Sequence, residues 1–205
     1  MQRSTPITRA TVLQAARDLF AVRGFHGTSM KDIALAAGVR APSLYNHVSS
    51  KQEILFTIMD TAMDRALGAL DTALRDVSDV SEQLQRATES LVLDFLRFPH
   101  EVTVCNAEIH SLDESTRPMI IAKRDQYGKQ VRAIIEHGCD TGRFTTSSPR
   151  LAAYAVLEMG NSAKAWFRHG GPLADTDVAE RYGEFALRIV GDTTLPRAAD
   201  RPPAR

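Results

Sequence analysis

The sequence has few of the residues that support disulfide bonding or membrane insertion. Its 205 residues include two cysteines, too few for a disulfide scaffold. Both, Cys105 and Cys139, lie in segments of helical pattern, where small buried side chains are expected. No apolar run approaches the ~20 residues of a membrane-spanning helix, and the first residues lack the apolar core of a signal peptide. We therefore expect a cytoplasmic protein that does not enter a membrane.

The patterns of catalytic and metal sites are missing as well. Cys105 and His110 are five residues apart, and His137 and Cys139 are two apart at the end of a helical pattern. Neither spacing gives the two ligands on one helical face that an i, i+4 pair provides. No nucleophile motif and no phosphate-binding glycine loop is present. The sequence therefore predicts no cofactor, no metal and no enzyme.

The periodicity of apolar residues is helical throughout, with no sustained alternation of the kind found in strands. It predicts an all-α protein of about nine helices. The longest pattern follows Ser50 and Glu53, a capping box, and continues from Ile54 to Val77 without a Gly- or Pro-rich linker. One helix of about 25 residues is therefore expected to lead from a small N-terminal domain into the next one.

The stretch of residues 28–51 has the pattern of two short helices joined by a tight turn. Gly38 stands where the first helix ends, and glycine tolerates the positive φ of such a position. The second segment starts near Ala41 and Pro42 and turns Leu44 and Val48 inward. Its outward side chains are polar, basic or aromatic and include no acid, which suits a helix that enters the major groove of DNA.

The charge of the chain supports this interpretation. Residues 1–55 contain seven of the 25 Lys and Arg side chains but only three of the 25 Asp and Glu side chains. Such an asymmetry is typical of a nucleic-acid-binding module attached to another domain. Chance clustering of surface charge is the alternative explanation.

The sequence AAGVRAPSLYNHVSSKQEIL resembles the recognition-helix signature of the TetR family of transcriptional regulators. The matching residues are Gly38, Val39, Ser43, Leu44, Tyr45, His47, Ser50, Lys51 and, one place late, Glu53. The preceding RGFHGTS segment also fits. Pro42 and Val48 depart from the usual glycine and phenylalanine, which leaves the DNA sequence that is read open.

The resemblance implies a three-helix helix-turn-helix DNA-binding domain at residues 1–53 and a helical ligand-binding and dimerisation domain at 54–192. The composition of residues 193–205 predicts a disordered tail. The resemblance also implies double-stranded operator DNA as a partner and a homodimer formed through the last two helices. For the dimer face we consider Leu151, Ala152, Ala155, Val156, Met159 and Ala163, with packing inside one chain as the alternative. The predicted DNA-binding residues are Thr28, Arg40, Ala41, Ser43, Tyr45, Asn46, His47 and Lys51.

A small-molecule effector is expected in the second domain, where polar side chains interrupt otherwise apolar helices. The candidate ligand-binding residues are Asn106, Glu108, Arg124, Tyr127, Glu158, Asn161, Lys164 and Trp166. Exposure or inter-helix hydrogen bonding is the alternative for each. The segment WFRHGGPL is similar to one in TetR regulators of fatty-acid and steroid degradation, several of which sense acyl-CoA, so an acyl-CoA is the expected ligand class. Two rival interpretations are a regulator controlled by a protein partner and an α-helical enzyme that uses the N-terminal module for docking.

Overall fold

The structure, a computed structural model, describes residues 8–195, and within that range the fold is all-α. It contains nine α-helices and one short 3-10 helix, Ile109–Ser111, which confirms the predicted class and the predicted number of helices. The α-helices are α1 Arg9–Arg23, α2 Met30–Ala36, α3 Ala41–Leu44, α4 Lys51–Leu74, α5 Val80–Arg97, α6 Pro99–Ala107, α7 Arg117–Asp140, α8 Pro149–Trp166 and α9 Asp175–Val190. An isolated antiparallel bridge between Phe144 and Asp192 is the strand-like pairing seen among these residues.

Side chains at the helix starts explain several of these boundaries. Thr8 caps α1 by accepting a hydrogen bond from the backbone N–H of Thr11, so one otherwise unpaired donor is satisfied. Asp79 caps α5, because its carboxylate accepts from the N–H groups of Ser81 and Glu82. The apolar pattern that begins at Leu84 predicts Ser81, a serine of the type that caps helices, for this position. The cap therefore lies two residues earlier than the pattern indicated.

The first compact unit contains the chain up to Arg65 and the segment Phe98–Lys123. Its core joins side chains of α1 to α4 with side chains of α6, the 3-10 turn and the start of α7. The fully buried or nearly buried members include Val12, Phe20, Ile33, Leu44, Leu55, Val104, Leu112 and Ile120. A three-helix bundle of about 50 residues has little apolar area to bury on its own, and α6 enlarges this core.

The second compact unit contains Ala66–Arg97 and the chain from Arg124 onward. Here α5 packs against α8 and α9, with Leu84, Ala87 and Leu91 among the buried side chains of α5. The approach of α9 to α5 is close at Gly183, where a Cβ atom would lie 2.8 Å from Cγ of Gln85. A larger residue at this position would require the side chains of Gln85 and Glu89 to shift.

The boundaries of these compact units do not coincide with the end of the predicted domain 1–53, and the division into functional domains at 1–53 and 54–192 stays a prediction. The boundary within α4 lies between Arg65 and Ala66, and a second boundary within α7 lies between Lys123 and Arg124. The physical reason is that α6 buries Val104 in the core of the first unit, a pairing of distant segments that periodicity does not reveal. After Phe98 and Pro99 the sequence predicts a single helix over about residues 101–111. The structure instead has α6, which ends at Ala107, followed by a 3-10 turn.

Most of the predicted tail lies outside the described residues. Of the part that is described, Thr193 donates its backbone N–H to the carbonyl of Arg143, and Thr194 donates to the carboxylate of Asp192. Residues 193–195 are therefore held by hydrogen bonds, and the prediction for the rest of the tail lies outside the described residues. None of the helices within residues 8–195 has a stretch both long and apolar enough to cross a bilayer.

Candidate DNA-binding surface

The turn between α2 and α3 is built by short-range hydrogen bonds. Ser29 caps α2: its hydroxyl accepts from the N–H of Asp32, and the carboxylate of Asp32 accepts from the N–H of Ser29. At the other end Gly38 has a φ of 72°, which a residue with a Cβ adopts only with strain. The chain is thereby directed into α3, whose first turn contains Pro42.

The candidate recognition helix α3 is one helical turn long. It ends at Leu44, with Tyr45 as its C-cap, and residues 45–47 continue as turns. Leu44 and Val48 are buried, as the pattern predicted. The side chains between and beside these anchors face solvent wholly or in part: Arg40, Ala41, Ser43, Tyr45, Asn46 and His47.

The structure therefore brings six of the eight predicted DNA-binding residues together on one segment. No Asp or Glu occurs between Asp32 and Glu53, so this surface carries no negative side chain of its own. Such a surface offers donors and acceptors to base edges, together with Arg40 for a guanine or a phosphate. Tyr45, 56% exposed, is an amphipathic side chain of the kind that reaches a sugar-phosphate backbone.

Thr28, the first of the two outlying candidates, is not on this segment, and its contact with DNA stays a prediction. Its residue is 1% exposed, and its hydroxyl donates to the carbonyl of Gly24 at 2.9 Å. The hydroxyl is thus buried within the turn and already bonded, so in this conformation it is not presented to a phosphate. By residue type both Thr28 and Ser29 are candidates for the N-cap of α2, and in the structure Ser29 is the cap.

Lys51, the other outlying candidate, has a structural role that the sequence did not predict. Its ammonium donates to the carbonyls of Phe25 and Thr28, each at 2.8 Å, and lies 4.1 Å from the centroid of the Phe25 ring. These bonds tie the start of α4 to the turn that precedes α2. An ammonium has three N–H donors, so one is left for a phosphate, and the DNA contact stays a prediction.

A second set of polar contacts fixes the start of α4. The carboxylate of Glu53 accepts from the hydroxyl and the backbone N–H of Ser49 and forms an ion pair with Arg9 at 2.9 Å. Ser50 in turn accepts from the N–H of Glu53. The predicted capping box is present in altered form, because the returning bond goes to Ser49 rather than Ser50.

These bonds predict how Glu53 contributes to stability as pH changes. The hydrogen bonds from Ser49, followed by the contact with Arg9, lower the pKa of Glu53 from 4.5 to about 2. Because the pKa is lowered on folding, the contribution is full above about pH 4.5 and is lost as pH falls towards 2. We expect the stability advantage of the native chain over Glu53→Gln to be constant near neutrality and to vanish between pH 4.5 and 2. Denaturant unfolding of both proteins across this range measures it, and a difference that did not change with pH would contradict the assignment.

The predicted ligand-binding residues fall into both units. Asn106 and Glu108 belong to the first unit, and the other six to the second. Glu108 accepts a hydrogen bond from the backbone N–H of Phe25 at 3.0 Å, so its carboxylate is bound to a turn of the first unit. Asn106, Glu158 and Trp166 are exposed, and the amide of Asn161 donates to Glu158 at 3.5 Å.

Tyr127 is the fully buried member of this set. Its hydroxyl lies inside the second unit without a hydrogen-bond partner. Burial, together with the charge of Asp94, raises the pKa of Tyr127 above its ordinary value, so the hydroxyl stays protonated as a donor.

Two surface cavities, of 310 and 430 Å³, are lined by none of the eight residues. Within residues 8–195, no three His, Cys, Asp or Glu side chains are grouped as a metal site would require.

A second surface of interest lies on α8 and α9, in the second unit. The carbonyl of Val190 accepts from the N–H groups of Thr145 and Thr146, so the start of α8 lies beside the end of α9. Large apolar side chains are exposed at this end of the pair: Leu151, Tyr154, Phe185 and Ile189. Of the six residues predicted for a dimer face, Ala152, Val156 and Ala163 are instead buried within the chain, because α8 packs them against the core.

Two family models match the chain. The N-terminal domain of "Bacterial regulatory proteins, tetR family" matches residues 12–58, and the "Tetracyclin repressor-like, C-terminal domain" matches residues 77–190. Together they cover the candidate recognition segment, the buried Tyr127 and the surface on α8 and α9. The chain belongs to the TetR family of transcriptional regulators. Members of this family are DNA-binding transcription factors rather than enzymes, as the sequence predicted.

Individual TetR-family proteins resemble the chain over most of its length. The transcriptional activator FasR of Mycolicibacterium smegmatis is 28% identical over 194 residues, which cover 93% of this chain and 86% of FasR. The transcriptional repressor KstR2 of Mycobacterium tuberculosis is 27% identical over 185 residues, 87% of this chain and 90% of KstR2. The crystal structure of AibR in complex with isovaleryl coenzyme A and operator DNA has a TM-score of 0.78 at 25% identity, and covers 90% of this chain and 98% of that one.

Proposed function

We propose that this protein is a ligand-responsive transcriptional repressor that binds a palindromic operator as a homodimer and is released by an acyl-CoA. The DNA-binding part of the proposal rests on segment 40–47, which contains no acidic residue and exposes its polar side chains while Leu44 anchors it in the core. A cytoplasmic location is part of the same proposal, since the protein must reach the operator DNA that it binds.

Two kinds of DNA contact are assigned to this segment. Arg40, Ser43, Asn46 and His47 are proposed to reach base edges, since arginine suits guanine and asparagine suits adenine. Tyr45, with Lys51 from the start of α4, is proposed to bind phosphates, which fixes the position of the helix without reading sequence.

The dimer is proposed to form through the exposed apolar side chains of α8 and α9. A palindromic operator needs two recognition helices separated by about 34–36 Å or a multiple of it, which a two-fold axis provides. Charged residues flank the apolar ones on α9, where Glu184 pairs with Arg181 at 2.9 Å and with Arg188 at 3.3 Å. An apolar centre with a polar rim is the usual anatomy of a protein interface.

The effector is proposed to bind in the second unit, with the Tyr127 hydroxyl as a hydrogen-bond donor. A buried hydroxyl without a partner costs about 1–3 kcal/mol, and a ligand carbonyl would supply the missing acceptor. The AibR structure contains isovaleryl coenzyme A, which supports an acyl-CoA as the ligand class. Ligand and DNA then favour different conformations, so each weakens the binding of the other by the same factor.

Tyr127→Phe separates the cost of this hydroxyl from its use. Without ligand the variant is expected to be as stable as the native protein or more stable by about 1 kcal/mol, because an unpaired polar group is removed. Its response to the effector is expected to weaken about tenfold, since a hydrogen bond to the ligand is lost. Thermal unfolding and titration with isovaleryl-CoA measure the two effects. A variant that is destabilised and responds normally would show that the hydroxyl has a structural partner instead.

A gel shift on the DNA that flanks the gene for this protein tests the proposal as a whole. We expect a retarded complex that isovaleryl-CoA or hexadecanoyl-CoA reduces and that free coenzyme A leaves unchanged. A complex that no thioester affects would contradict the acyl-CoA assignment and favour control by a protein partner. The absence of any complex would contradict the DNA-binding assignment.

A further inference from the structure

The backbone N–H and the carbonyl of Phe25 are each bound by a charged side chain from a different helix. Its N–H donates to Oε1 of Glu108 at 3.0 Å, and its carbonyl accepts from the ammonium of Lys51 at 2.8 Å. Glu108 is the C-cap of α6, and Lys51 is the first residue of α4. The segment between α1 and α2 is thus fixed to two other helices of the first unit.

The turn is shaped to admit the carboxylate. Gly24 has a φ of 76°, and a Cβ atom at this position would lie 3.2 Å from Oε1 of Glu108, tighter than most contacts of this kind. Phe25 itself is buried, with its ring 5.4 Å from that of Phe20. Hydrogen bonds within the turn also hold residues 24 and 25, since Gly24 donates its N–H to the carbonyl of Phe20 and accepts from the hydroxyl of Thr28. Among the groups that bind Phe25, Glu108 and Lys51 are the charged side chains from other helices.

The position of Glu108 is electrostatically unfavourable unless its carboxylate accepts hydrogen bonds. A carboxylate at the C-terminal end of a helix faces the negative end of the helix dipole. Glu108 lies at the end of α6 and also contacts the turn that ends α1. The bonds from Phe25 and from the hydroxyl of Ser111, the latter at 2.7 Å to Oε2, offset this cost.

A further pair of hydrogen bonds joins the two anchors. The side-chain amide of Gln52 donates to the carbonyl of Ser111 at 2.8 Å and accepts from the N–H of Asp113 at 3.2 Å. Hydrogen bonds therefore link Phe25 to Glu108, Glu108 to Ser111 and Ser111 to Gln52, and the chain itself joins Gln52 to Lys51, which bonds back to Phe25. We call this set of five residues the Phe25 network.

We infer that Glu108 is a positioning residue for DNA recognition, which holds the residues before α2 in the orientation that α3 needs. This inference rests on the proposed DNA-binding function and identifies how α6 acts on it. A displacement of the end of α6 moves Glu108 and, through its hydrogen bond, the backbone of Phe25. Phe25 lies four residues before Ser29, the N-cap of α2. Glu108, predicted from sequence as a ligand-binding residue, then acts on DNA binding without touching DNA or ligand.

Three variants of the full-length protein test this role. Glu108→Ala removes both acceptors, whereas Glu108→Gln keeps a carbonyl oxygen for Phe25. Glu114→Ala is the matched control, because Glu114 is exposed and belongs to the same unit. The readouts are hydrogen exchange in peptides covering residues 20–30, affinity for the DNA flanking the gene, and the oligomeric state.

Glu108→Ala is expected to speed exchange at residues 24–28 about tenfold, the effect of one lost hydrogen bond of average strength. Its affinity for DNA is expected to fall about tenfold with an unchanged oligomeric state, whereas Glu108→Gln and Glu114→Ala stay within about twofold of the native protein. Gln52→Ala removes the bonds of Gln52 from the Phe25 network but leaves Glu108 in place, so it is expected to show a smaller change in the same direction. It provides the test if Glu108→Ala does not fold.

Native exchange and native affinity in both Glu108→Ala and Gln52→Ala would overturn the inference. Faster exchange with unchanged affinity would overturn it too, because the turn would then be held without any consequence for recognition. If the native protein itself binds no duplex, the proposed function fails. The exchange data then show only whether Glu108 holds the turn.

Discussion

Phe185→Glu is expected to convert the protein into a monomer and to lower its affinity for a palindromic operator by about 100-fold or more. Phe185 is 47% exposed on α9, beside the exposed end of α8 that carries Leu151. In an interface with two-fold symmetry the same patch faces itself, so the substitution places two carboxylates in an apolar contact. Separating the protomers removes the gain that two linked binding sites provide, which is typically 10²–10⁴-fold.

Met119→Glu is the control for this substitution. Met119 is 51% exposed on α7 and belongs to the first unit, so Met119→Glu changes an apolar side chain of similar exposure in a unit that contains neither α8 nor α9. Analytical ultracentrifugation and fluorescence anisotropy with labelled DNA measure mass and affinity. If Phe185→Glu stayed dimeric, or if Met119→Glu dissociated the protein as strongly, the dimer would not form through the end of α8 and α9.

Lys51→Ala is expected to weaken binding to all DNA sequences by about ten- to a hundredfold. Part of the loss is a phosphate contact, and each neutralised phosphate contributes about 0.9 to the slope of log K against log salt. The other part is structural, since the carbonyls of Phe25 and Thr28 lose an ionic donor. Hydrogen bonds to charged groups contribute about 1.5–3 kcal/mol each, so thermal stability is expected to fall as well.

Lys51→Arg separates the two contributions. It keeps the positive charge, so the salt slope should remain native, while the larger guanidinium cannot occupy the place of the ammonium over the Phe25 ring without rearrangement. Affinity measured between about 50 and 200 mM salt decides the matter. A native salt slope in Lys51→Ala would contradict the phosphate contact, and a loss confined to one base position would assign Lys51 to base reading instead.

Local sequence patterns predicted the helices and their ends well. The glycine at 38, the proline at 42 and the buried pair Leu44 and Val48 are local signals, and the structure has each of them in the predicted place. Local signals were less successful where two caps competed. Asp79, rather than Ser81, caps α5, because a longer acidic side chain reaches both N–H groups.

Pairings between distant segments could not be predicted from periodicity. The apolar pattern of α6 shows that one face is buried, but not that Val104 enters the core of the first unit. For the same reason Glu108 was interpreted as a polar group in a ligand pocket, while its carboxylate binds a backbone N–H 83 residues away. Polar residues in apolar helices indicate burial or bonding, and only the fold identifies the partner.

The division of apolar residues between core and surface was also beyond the sequence. Ala152 and Leu151 are neighbours in one apolar run, yet Ala152 is buried within the chain and Leu151 is 65% exposed. A helix that packs on its own chain and on a second copy carries apolar residues on two faces. Periodicity alone does not show which face is which.

The central claim is that two copies of this chain bind one duplex through segment 40–47, and stoichiometry with salt dependence tests it most directly. Sedimentation and anisotropy with the DNA flanking the gene should show at least one dimer per operator and a log affinity that falls linearly with log salt. The same duplex with one half-site scrambled should bind much more weakly. A stable monomer whose affinity for duplex DNA does not depend on salt would contradict the account.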